Sequence, residues 1–150
     1  MGKTIALVPC SEGKDPKSKS VEIAARDLYT GPLFKKALEC AESLHPDEIY
    51  ILSAKYGVVE LDQKLTYYDM YLHNQPKSYR LSWAEKVLEQ LRDHGVDVHR
   101  DKIVFLTGRD YYSELISHIT NYEIIGEGLR QGEKMHEFDE IKAGRKYINQ

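Results

Sequence analysis

The sequence predicts a single α/β domain, residues 1–150, with a mainly parallel sheet flanked by helices. Three observations predict it. Short runs of β formers recur at residues 4–9, 48–53, 102–108 and 122–126. Segments with apolar residues at helical spacing follow them along the chain. Neither an internal repeat nor a linker-like stretch divides the sequence. Strands alternating with helices are the pattern of βαβ units, and parallel strands need such crossovers.

Each element has its own justification. "TIALVP" is an apolar run closed by proline, a buried strand. Residues 10–26 are polar, with Gly13, Pro16 and several serines and lysines, and predict a long loop. Leu33, Phe34, Ala37, Leu38, Ala41 and Leu44 share one helical face, so a helix is expected over about 31–44, opened by Gly31-Pro32. "EIYILS" is the second strand, and the tyrosine-rich stretch 57–77 is expected to be irregular. Ser78 is a candidate cap for a helix to about Asp93, with Leu81, Ala84, Val87, Leu88 and Leu91 on its apolar face. Trp83 on that helix is expected to pack rather than to touch a ligand. "KIVFLTG" is the third strand, followed by a helix carrying Tyr112, Leu115, Ile116 and Ile119; "YEIIG" is the fourth, followed by a helix from Arg130.

Composition bounds the function. An apolar share of 41% and a charged share of 30% suit a soluble folded domain. No apolar run reaches the ~20 residues of a membrane-spanning helix, so no membrane partner is expected. Cys10 and Cys40 form no disulfide framework, and with no secretion signal the expected location is the cytoplasm. The cysteines and six histidines show no metal-ligand spacing, and no cofactor motif is present, so neither metal nor cofactor is expected. Nothing specifies an oligomeric state. A net charge of −3 excludes a protein that coats nucleic acid by bulk charge, but leaves room for a local basic cleft.

The strand ends carry the chemistry. Ligands of open parallel sheets bind beyond the carboxyl ends of the strands. There the sequence places Cys10-Ser11-Glu12-Gly13-Lys14, then Ser53-Ala54-Lys55-Tyr56-Gly57, then Thr107-Gly108-Arg109-Asp110-Tyr111-Tyr112. Each end releases a hydroxyl, a glycine and a basic residue, groups that let backbone N–H donors and charge approach an anion. Tyrosine adds a face on which a base can stack. Cys10 is either a nucleophile at a strand end or a small residue in a tight turn. Asp69, in "YYDMYL", is a candidate general acid–base or a turn aspartate; Asp27 is a ligand contact or a capping residue.

The segments "VPCSEGK", "AARDLYTGPLFKKAL", "YILSAKYGVVELDQKLTYYDMYL", "GRDYYSEL" and "GEGLRQGEKM" together resemble a bacterial and phage family of small YaaA-like proteins. The Pro-Cys-Ser-x-x-Lys segment is also similar to one in archaeosine synthase and its relatives, whose α/β domain is related to the uracil-DNA glycosylase fold. The resemblance implies a uracil-DNA glycosylase-like sheet whose strand ends face a nucleobase or nucleotide. Lys14 and Lys55 would hold phosphate, Tyr56 and Tyr68 would stack on the base, and Ser11, Tyr29, Ser53, Gly57, Gly108 and Tyr111 would complete the walls. Asp69, with Cys10 or Asp27 as alternatives, would act in base chemistry. The expected function is an enzyme that cleaves, exchanges or modifies a base in DNA or RNA. The alternative is a non-catalytic module that binds a nucleotide or nucleic acid in a stress- or phage-related response.

Overall fold

A computed structural model describes residues 2–146. Twelve strands and α-helices follow one another: β1 Thr4–Pro9, β2 Ile23–Ala24, α1 Ala25–Leu28, α2 Pro32–Ser43, β3 Glu48–Ser53, β4 Gly57–Glu60, β5 Lys64–Leu65, α3 Lys77–Asp93, β6 Lys102–Phe105, α4 Arg109–Tyr112, β7 Asn121–Ile124 and α5 Gln131–Lys142. Five strands form the main sheet in the order β4-β3-β1-β6-β7. The pairs β1–β3, β1–β6 and β6–β7 are parallel, and only the edge pair β3–β4 is antiparallel. The fold is therefore the expected α/β domain with a mainly parallel sheet.

The side-chain period of two in β1 explains the layers. Ala6 and Val8 face α2 and α5, packing with Phe34, Ala37, Ala41, Phe138 and Ile141. Ile5 and Leu7 face the other way, onto Trp83, Val87 and Leu91 of α3 and onto Tyr112 and Leu115. A strand buried on both faces reads as an unbroken apolar run, which is what "IALV" is.

From β1 the chain crosses to β3 on one side, then passes back to β6 on the other. The strand order thus reverses between β1 and β6, and the loops leaving these strands diverge to opposite faces. Such a switch point is where open sheets take ligands.

Several elements differ from the sequence reading. The loop 10–26 contains a short 3₁₀ turn, Pro16–Lys19, and β2, which pairs antiparallel with β5 in a second small sheet. Two-residue strands have too little pattern to be seen in sequence. The stretch 57–77 is irregular only in part: it opens at once as β4, pairing Ser53 with Gly57, and also holds β5, whereas residues 66–71 have no regular structure. The helix expected after β6 breaks into α4 and a 3₁₀ turn at Ile116–His118. Pro76, not Ser78, caps α3, and Leu81 stands 45% exposed rather than on the packed face. The last helix forms as α5 but ends at Lys142, with residues 143–146 in turn and bend; the part of the expected helix over residues 147–150 lies outside the described residues.

One buried carboxylate fastens the amino ends of the sheet. Asp101, 0% exposed, accepts the N–H groups of Lys3 and Asp97, each at 2.8 Å. Burial alone would raise its carboxyl. The Asp97 and Lys3 N–H groups and the Arg100 guanidinium outweigh burial and hold it below the usual carboxylate range. A carboxyl depressed in the folded state stabilises above its unfolded value, and that stability is lost as pH falls through the folded value. Asp101→Asn is expected to cost about 1–3 kcal/mol near neutral pH. Urea titrations should show the variant's deficit shrinking below about pH 4. A deficit independent of pH would refute the assignment.

Candidate functional site

The carboxyl edge is built around Tyr68. Its phenol is buried, at 5% exposure. The hydroxyl meets Tyr29 Oη at 2.5 Å and Ser53 Oγ at 2.8 Å. Ser53 Oγ in turn accepts the N–H groups of Lys55 and Tyr56, and its carbonyl accepts the Trp83 indole N–H at 2.8 Å. The Tyr79 hydroxyl donates to the Ala54 carbonyl. The β3–β4 turn is thus held from three sides.

Two ammonium groups flank the same ring. Lys14 Nζ lies 4.6 Å from the Tyr68 centroid and Lys55 Nζ 5.9 Å. Lys14 also approaches the Tyr29 and Tyr67 rings, Lys55 the Tyr56 ring, and Lys19 lies 4.8 Å from Tyr67. Neither Lys14 nor Lys55 forms a salt bridge among the described residues. Burial lowers the Lys14 ammonium, partly offset by the electrostatic pull of the Cys10, Asp69 and Glu12 side chains. An ammonium over an aromatic face gains about 0.5–2 kcal/mol while keeping donors free for an anion.

At the switch point itself Cys10 Sγ meets Tyr111 Oη at 3.5 Å. The Tyr111 ring packs edge-on against Trp83, and its hydroxyl also meets the Leu72 backbone. Burial drives the Tyr29, Tyr68 and Tyr111 phenols far above their ordinary values, so all three are neutral donors and acceptors. Beside Cys10 opens a cleft of 460 Å³, bordered by Gly13, Gly31, Phe34 and Gln131. The Ser11 hydroxyl braces its rim, donating to the Gly13 carbonyl and accepting the Gly31 N–H at 2.8 Å.

Cys10, Lys14, Tyr29, Ser53, Lys55, Tyr56, Tyr68 and Tyr111 therefore form one connected group, as their strand-end positions suggest. Asp69 joins it indirectly. It is exposed, hydrogen-bonded to the Tyr71 hydroxyl, and acts on Lys14 through space. The Asp69 hydrogen bond, with burial, pushes Tyr71 up to about 12.

Other expected contacts have different occupations. Tyr68 is no stacking platform: the Lys14 ammonium lies over its face and the Tyr56 ring meets it edge-on at 5.3 Å. Tyr29, 1% exposed, belongs to the core. The Ser53 hydroxyl is spent on Tyr68 and on the turn. Gly57 serves that turn, with φ +76°, and a Cβ there would come within 2.3 Å of Gln90 Oε1. Asp27 is exposed on α1 and has no side-chain hydrogen bond or salt bridge among the described residues. Gly108 caps the start of α4.

Tyr67 is the aromatic face that the sequence reading passed over. It is 39% exposed and carries Lys14 and Lys19. Adjacent tyrosines in an extended segment point opposite ways, so one of Tyr67 and Tyr68 had to face outward. A larger concavity, 970 Å³, lies at the opposite edge, bordered by Val96, Val98, His99 and Thr120. It contains none of the strand-end residues. No group of three or more His, Cys, Asp or Glu side chains among the described residues is arranged to hold a metal ion, and no helix is long and apolar enough to cross a membrane.

The Tyr68 network has a measurable worth. Tyr68→Phe keeps the ring and its cation contacts but takes a hydrogen-bond partner from two buried hydroxyls. A loss of about 1–3 kcal/mol is expected in urea unfolding. Ser53→Ala in the same background should add less than it costs alone, because the two share one interaction. Full additivity would show that the hydroxyls do not cooperate.

No curated protein matches the chain. Over residues 5–140 it matches the family described as "Family of unknown function (DUF6884)". That span takes in every strand apart from the first residue of β1, and almost all of α5, so the chain belongs to this family.

Proposed function

We propose that the domain binds a nucleotide or a nucleic-acid segment along the carboxyl edge of its sheet. The observation that carries this reading is the pair of ammonium groups on one tyrosine ring, Lys14 and Lys55, next to the exposed Tyr67. Cations without carboxylate partners suit phosphate, and an exposed aromatic face suits a base. Kinship with the YaaA-like, archaeosine-synthase and uracil-DNA glycosylase-like proteins belongs to the same proposal and rests on the segments quoted above.

Lys14→Met and Lys55→Met are each expected to weaken binding of a single-stranded oligonucleotide by about 1–3 kcal/mol. Each should also reduce the salt slope by about 0.7, the value for one phosphate contact on a single strand. Fluorescence anisotropy across a salt series measures both. Unchanged affinity and slope in both variants would remove the phosphate role.

One observation favours a second, catalytic reading: the Asp69 carboxylate, the Tyr71 phenol and the partly buried Lys14 ammonium converge in one loop region. A carboxylate there suits a group that activates water or offsets charge on a sugar during cleavage or exchange of a base. Asp69→Asn should then preserve binding while lowering base release by about 10²-fold or more. Assays on oligonucleotides carrying normal, oxidised and hypermodified bases decide between the readings. Binding without release by the wild-type protein leaves the binding module.

A further inference from the structure

A second cleft lies on the same sheet edge, away from the tyrosine–lysine group. It measures 480 Å³ and is bordered by Thr107, Arg109, Tyr112, Lys134 and the segment Gly126–Leu129. Thr107 lies just beyond β6, and the glycine segment just beyond β7. The cleft is thus built from the next two strand ends across the sheet.

Its chemistry points one way. Thr107 is 1% exposed, and its hydroxyl has no hydrogen-bond partner. It is one of only two such buried side-chain atoms among the described residues. A buried hydroxyl left unpaired costs about 1–3 kcal/mol, so its persistence at a cleft calls for a partner that arrives from outside. Neither the Arg109 nor the Lys134 side chain has a hydrogen bond or salt bridge among the described residues. Lys134 is partly buried, which lowers its ammonium, and Asp110 offsets this only in part. Gly126 and Gly128 both take positive φ, +77° and +78°, with Glu127 between them. Residues 125–128 form successive turns, one closed by the Leu129 N–H on the Gly126 carbonyl. Backbone of alternating hand in such a turn curves into a concavity that suits an anion. A Cβ at Gly126 would press on Lys134 Cγ at 3.1 Å, so glycine lets the lysine stem lie against this turn. The opposing charges are the Glu127 carboxylate, which is exposed and borders the cleft, and the Asp110 carboxylate, which acts on Lys134.

We propose that this cleft is an oxyanion site of the phosphate class, with the Thr107 hydroxyl, the Lys134 ammonium and the Arg109 guanidinium as donors beside the Gly126–Gly128 turn. The site stands apart from Lys14 and Lys55 and does not depend on their role.

Inorganic phosphate and pyrophosphate are the probes. Amide chemical shifts are followed during titration of the intact chain at low ionic strength, with chloride and acetate as controls. Saturable shifts are expected at Thr107, Gly126 and Gly128. Lys134→Met should weaken the apparent affinity by about tenfold, the worth of one charge-assisted hydrogen bond. Thr107→Val should weaken it by about fivefold, whereas Thr107→Ser, which keeps the hydroxyl and tests folding, should bind as the wild type. Lys64→Met, at an exposed lysine of β5 that borders neither cleft, should leave it unchanged. Shifts confined to other lysines, equal response to acetate, or wild-type affinity in both Lys134→Met and Thr107→Val would overturn the site.

Discussion

The Tyr68 hydroxyl cannot be buried alone, and the carboxyl edge is organised around that constraint. A phenol taken out of water needs partners, and it finds Tyr29 from the end of α1 and Ser53 from the end of β3. Three segments distant in sequence are thereby tied at one point. The ring above the hydroxyl then fixes the charges: Lys14 and Lys55 come from different loops and meet only because both lie near its π system. The phenol acts as a structural pin at one end and a cation seat at the other.

This pinning decides what kind of site the switch point offers. Tyr29 and Tyr68 are buried in the core and half-buried Tyr111 packs edge-on against Trp83, so these rings spend their faces on the protein itself. What remains accessible lies around them: the cleft beside Cys10, the Tyr67 face, and the cleft behind Thr107. A ligand lying over the edge would meet charge and aromatic surface first, and would reach Cys10 only past the Ser11–Gly31 brace.

Much of this was legible in the sequence because strand ends are punctuated. An apolar run buried on both faces stops where polar residues begin, so Cys10–Lys14, Ser53–Gly57 and Thr107–Tyr112 were placed on one edge by the parallel pairing alone. The roles of individual residues were not legible. Ser53 and Gly57 look the same in sequence whether they bind a ligand or close a turn. Only the pairing of Ser53 with Gly57, and the positive φ that this turn demands, separates the two. β4 was missed because its apolar content is Val58-Val59, shorter than any period can register. Tyr67 and Tyr68 are chemically identical neighbours; which one faces the core depends on where Ser53 and Tyr29 sit, and that is tertiary information.

A net charge of −3 and local cation sites are compatible because screening separates them. The Debye length is about 8 Å at physiological ionic strength, so a bound anion senses its nearest neighbours and little of the distant acidic surface. Near Lys14 those neighbours are Lys19, Lys55 and the rings beneath them, opposed by Asp69 and Glu12. Burial matters more than number here. A half-buried ammonium has already lost part of its hydration, so contact with a phosphate costs it less further desolvation than an exposed lysine would incur. The same holds for Lys134 behind Thr107. The described chain thus has two places on one sheet edge where a partly desolvated lysine stands beside loop glycines. An extended polyanion could engage both, and a compact one would have to choose.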